Sequence, residues 1–161
     1  MDQGHSLIGF ITIVILYAVV GVMAAVGTIC ISRRRFSPRA EQIFYALFLI
    51  MIAVFYLAFT AYFGATSAWR VETSAVVVFA AIGLLGVRLP IALIIGFPLH
   101  GLWDLLHEVQ PHGIISAFEP GKLTAIPLAY GIFCLAYDFC VAGYAFTRQP
   151  AWSAAWKSTR Q

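Results

Sequence analysis

Long apolar runs alternate with short polar breaks along the chain, and the runs predict five helices. The first run, residues 7–31, carries no charge over 25 positions. A helix needs roughly 20 residues to cross the hydrocarbon of a bilayer. Within this run Ala18, Gly21, Ala25 and Thr28 form a small-residue stripe at helical spacing, suited to close contact with another helix. Ser32, Arg33, Arg34 and Arg35 stop the run. The second run, residues 40–64, is announced by Ser37 as N-cap and Pro38 as the first helical residue. Glu41 falls in its first turn, where the helix dipole favours an anion. Its far end is an aromatic belt of Phe55, Tyr56, Phe59, Tyr62 and Phe63. The third run, residues 73–89, is the shortest and contains Gly83 and Gly86. The fourth, residues 90–109, has Pro98 at its centre, which offers no N–H to the carbonyl of Ile94 and should kink the helix. A polar connection from Gln110 to Lys122 includes Ile114, Ile115 and Phe118, which could dip into the interface as a lid or merely join two spans. The fifth run, residues 123–147, leads to a tail, 148–161. Trp152 and Trp156 lie four apart there, as in an interfacial segment.

Composition fixes the class. The chain is 61% hydrophobic and 11% charged, against about 45–50% apolar and about 25% charged in ordinary soluble domains. The whole of 1–161 therefore reads as one all-α polytopic membrane bundle. Five spans place Arg33, Arg34, Arg35, Arg39, Arg88, Arg148, Lys157 and Arg160 on one side, and Arg70 and Lys122 on the other. That asymmetry predicts an outside N-terminus, a cytoplasmic C-terminus and residence in the plasma (inner) membrane. Lys and Arg at span ends report topology, so no nucleic-acid partner is expected. The start, MDQGHS, lacks a basic region, and no cleavable signal peptide is read from it. Cys30, Cys134 and Cys140 all lie within predicted spans and form no CxxC pair, which excludes a zinc knuckle.

Against this apolar background one stretch stands out: GFPLHGLWDLLHE, residues 96–108. His100, Asp104 and His107 occupy i, i+4 and i+7 and share one helix face. Counting from Arg88, His100 lies about 18 Å into its span; counting back from Arg148, Asp138 lies about 15 Å into the fifth. The two are nearly level, so the fourth and fifth spans are expected to pack with His100 and Asp138 facing inward. Ionisable groups at such depth are expensive and usually functional. Imidazole and carboxylate together suit zinc or iron, with His100, Asp104, His107 and Asp138 as ligands. The same groups could instead work without a metal, with Asp104, Asp138 and His100 as acid–base catalysts. Trp103, Tyr130, Tyr137 and Tyr56 would then bind a lipophilic, isoprenoid-like substrate. The enzyme classes that follow are a membrane-embedded metal-dependent hydrolase or oxygenase, or an acid–base isomerase or cyclase. A proton or ion relay and a non-catalytic accessory subunit, docked through the small-residue stripe of the first span, are the competing functions. The plainest alternative is a polar pair that pins two helices, worth about 0.6–2 kcal/mol. Taken singly, Glu108 and His112 read as solvated interfacial residues and Cys134 as a packing residue.

The segments HGLWDLLHE (100–108) and YGIFCLAYDFCVAGYAF (130–146) resemble a family of small, functionally uncharacterised multi-span membrane proteins with a His-x-x-Trp-Asp-x-x-His helix. The resemblance implies that His100, Trp103, Asp104, His107 and Asp138 belong together, and it transfers no activity. A looser likeness, of chemistry alone, is to sterol isomerase-type membrane proteins, which place a His-x-x-x-acid helix in a lipid cavity; here the acid is Asp104.

Overall fold

A computed structural model describes residues 3–110, 118–119 and 121–157, with the side chains of 3–6 left aside. It contains five helices: α1 (Gln3–Arg35), α2 (Pro38–Tyr62), α3 (Trp69–Gly86), α4 (Pro90–Val109) and α5 (Tyr130–Lys157). All five are long and apolar enough to cross a membrane, so the protein is an all-helical integral membrane bundle. Ser37 caps α2, its Oγ accepting from the N–H of Ala40 at 3.4 Å. α4 runs unbroken through Pro98.

α4 packs chiefly on α5, and α2 on α3; α1 lies along α5 and touches α2 only lightly. The small-residue stripe of α1 is the reason for its position. Gly21 presses on the carbonyl of Phe133, and Ala25 is fully buried. That stripe is therefore occupied by α5 within the same chain, and the face it was expected to offer a partner helix is covered. Between the other helices the core is aromatic and aliphatic: Tyr45, Leu49, Leu93, Phe97 and Trp152 are buried together.

The Arg-bearing helix ends converge. The guanidinium groups of Arg39 and Arg88 lie 3.9 and 4.1 Å from the ring centroid of Trp156, and Arg148 pairs with Glu41. Gln42 ties the same end together, donating to the Gly86 carbonyl at 2.7 Å and accepting from Trp156 Nε1 at 3.0 Å.

The last helix departs from the sequence expectation at both ends. It starts at Tyr130 rather than at 123, because Pro127 disfavours helix before it and the start is fixed by a distant carboxylate. Glu108 accepts from the N–H groups of Ala129 (3.0 Å) and Gly131 (3.2 Å), which would otherwise be orphans of the first turn. Glu108 is thus an N-terminal cap for α5 rather than a solvated side chain. Ala129, just before the helix, takes φ 57°, a left-handed conformation unusual for a residue with a Cβ. At its far end α5 continues through Pro150 to Lys157. Residues 148–157, the described part of the segment expected to lie on the membrane surface, form nearly three further turns of α5, with Trp152 fully buried.

Candidate functional site

Gly101 and Gly131 bring α4 and α5 together. A Cβ at Gly101 would sit 3.2 Å from that of Asp138. Gly131 meets the carbonyl of Asp104, leaving no room for a side chain. This close approach lets short side chains from the two helices meet. His100 Nδ1 lies 2.9 Å from Asp138 Oδ2 and 3.1 Å from Asp104 Oδ2. All three residues are at most 1% exposed. The inward packing of His100 on Asp138, expected from their matched depth, is the observed arrangement.

The bonding of this group is incomplete. An imidazole Nδ1 carries at most one proton, and here its hydrogen-bond partner is Asp138 Oδ2. Tyr56 of α2 donates its hydroxyl proton to Asp104 Oδ1, and the Cys134 thiol faces the same carboxylate. Asp104 Oδ2, Asp138 Oδ1 and His100 Nε2 have no N–H or O–H partner among the described residues. Buried polar atoms left unsatisfied are rare, and each asks for an explanation. One atom each of His100, Asp104 and Asp138 lies within 4.8 Å of the others, a spacing that can hold a metal ion.

His107 stands apart from this cluster. Its Nδ1 donates to the Trp103 carbonyl and its Nε2 faces Glu72 Oε1, both at 2.9 Å. Glu72 Oε1 also accepts the N–H of Thr124 at 2.8 Å. Both ring nitrogens are engaged, and the residue links α3, α4 and the segment before α5. Of the four residues read as one centre, His100, Asp104 and Asp138 therefore form a cluster, and His107 pairs separately with Glu72.

The aromatic residues expected around a substrate also divide. Tyr56 belongs to the polar cluster itself. Tyr137 turns toward Thr28 of α1, and Tyr130 packs edge-on to Phe59 at 5.4 Å. Trp103 packs edge-on against His107 at 5.2 Å and lines a groove of about 560 Å³ between α3 and α4. Phe79 also lines that groove, and its ring packs edge-on against His100 at 5.0 Å. The connection read as a lid or a plain join between spans falls mostly outside the described residues, as do His112 and Ser116; within it, Gln110 Nε2 donates to the Phe118 carbonyl at 3.1 Å.

Sequence reading missed three residues. Phe79 carries no polar signal and is indistinguishable by type from the belt aromatics. Glu72 was placed outside the third span, whereas α3 begins early enough to bury it completely. Glu41 was read as a first-turn anion. It is fully buried and accepts from Tyr144 Oη, Arg148 Nε at 3.0 Å and Trp152 Nε1 at 2.8 Å.

The chain belongs to a family of unknown function, DUF6010, whose model matches residues 16–151. Neither the curated proteins nor the solved structures contain a match to it.

Proposed function

We propose that His100, Asp104 and Asp138 form an intramembrane metal centre and that the protein is an enzyme acting on a lipophilic substrate. The observation that carries this reading is the pairing of two buried carboxylates with a single imidazole, with an oxygen of each carboxylate left unbonded. Two such groups in an apolar interior are either protonated or matched by positive charge beside them. A divalent ion would supply that charge. A tetrahedral ion with bonds of about 2.0–2.1 Å has ligand atoms about 3.3–3.4 Å apart; holding one would open the 2.9 and 3.1 Å contacts of His100 Nδ1 and replace its hydrogen bond to Asp138. One nitrogen and two carboxylate oxygens suit zinc or iron. Three protein ligands leave a coordination position for water or substrate, as catalytic sites do. Tyr56 then serves as the outer partner that orients Asp104.

The clustering of Arg39, Arg88 and Arg148 at one end of the bundle supports a cytoplasmic assignment for that end, with the N-terminus outside, in the plasma membrane. The non-catalytic alternative loses its motivating feature, since the α1 stripe is taken by α5.

The test is metal content of detergent-purified protein by elemental mass spectrometry, beside His100→Ala and Asp104→Ala. Near-stoichiometric zinc or iron, lost in both variants while they remain monodisperse, is the expected result. A well-folded protein that binds neither metal on reconstitution would overturn the proposal.

A further inference from the structure

The groove between α3 and α4 has a polarity of its own. Seven positions of α3 line it: 70, 71, 74, 75, 78, 79 and 82. This is one continuous face, about 18 Å long from Arg70 to Ile82. Everything below Ser74 is apolar. Leu99 on α4 is 47% exposed and Val78 is 55% exposed, so the groove opens sideways onto the apolar outer surface rather than only at its end. At the top stands Arg70, the only charged residue in its lining among the described residues. Arg70 has no ion pair among the described residues, and it also lines the neighbouring hollow on the other side of α3. Lys122, the other basic residue at this end, already lies beside Glu119 at 3.9 Å.

We propose that this groove receives a single-chain lipid with a carboxylate head, the guanidinium of Arg70 holding the head and the chain lying along α3 toward Ile82. One unpaired cation at the mouth of an apolar trough matches one negative charge on one long chain. A guanidinium presents a planar fork of donors that fits a carboxylate in bidentate fashion. The volume lies within the usual range of about 300–1,000 Å³ for small-molecule pockets. As a route to the His100 centre the inference rests on the function proposed above; as a binding groove it rests on its own geometry. The two together place the reacting part of the substrate mid-chain. Phe79, the wall between groove and His100, is nine residues below Arg70, or about 14 Å along the helix. A ring turn of Phe79 joins the groove to the buried cluster.

The test uses the full chain in nanodiscs of neutral phospholipid. The probes are a long-chain fatty acid with a diazirine at mid-chain and the amine of matched chain. The acid should label peptides spanning 69–82 or 99–103, about tenfold more efficiently than the amine, the effect of one charge-assisted contact. Arg70→Gln should erase that difference while leaving metal content and melting temperature unchanged, because Arg70 is exposed and unpaired. Val78→Trp, which fills the trough from an exposed position, should block labelling by both probes. Equal labelling by acid and amine in the parent, or undiminished preference for the acid in Arg70→Gln, would overturn the inference. Arg70-dependent labelling of a metal-free protein upholds the groove and removes the metal centre. Metal-loaded protein that ignores the acid upholds the centre and removes the groove.

Discussion

Glu41 and Asp104 are both fully buried carboxylates in the same bundle, yet their surroundings are opposite. Glu41 receives three side-chain donors, and the charge of Arg148 lies 2.9 Å away. Its two oxygens are both bonded and its charge is matched. Asp104 shares one imidazole with Asp138 and leaves one oxygen without a partner. A satisfied carboxylate holds helices together. The function proposed for the His100 cluster takes such an under-satisfied pair as binding capacity for something that is not part of the chain. The two centres thus differ in how completely their polar atoms are bonded rather than in residue type, since both pair an acid with a base.

The comparison can be broken by substitution. Glu41→Ala has the largest expected effect. It strands Arg148 and the Trp152 N–H, and removing one partner of a buried pair costs about 3–5 kcal/mol. Thermal unfolding in detergent should show a drop large enough to leave little monodisperse protein, with no effect attributable to metal. A melting temperature within a degree or two of the parent would refute the structural role. Tyr56→Phe comes next. It removes the donor to Asp104, and loss of such an outer partner typically weakens metal affinity about 10–100-fold. Competition with a chelator measures this; unchanged affinity would detach Tyr56 from the centre. Asp138→Asn should have the smallest effect on stability, within about 1 kcal/mol and of either sign, since functional sites are commonly held at the expense of stability. A loss as large as that of Glu41→Ala would make the His100 cluster a joint as well, and the contrast would disappear.

Much of this was legible in the chain. The limits of α2 and α4 were marked by Pro38, Pro90 and the break after Val109, and the level of His100 with Asp138 could be counted from Arg88 and Arg148. What escaped was the rotation of helices that are apolar nearly all round, because hydrophobicity on every side says nothing of which side faces inward. That is why the bond from Tyr56 to Asp104 could not be read from the sequence. The partners of Glu41 come from residues 103–111 positions later, beyond the reach of any local pattern. The start of α5 depends on Glu108, which belongs to the preceding helix. His107 shared a helical face with His100, but two turns of rise carried it to a different neighbour, Glu72.

The long separation between Glu41 and its partners has a consequence for how the protein is made. Arg148 is 107 residues downstream and Trp152 is 111. At about 5–20 residues per second, the acid leaves the ribosome about 5–20 s before the residues that complete it. During that interval α2 is present but its end is unfinished, so assembly cannot close in the order of synthesis. A ribosome that stalls before Arg148 yields four helices around an unmatched acid, a species that membrane quality control can distinguish from the finished chain by that one charge.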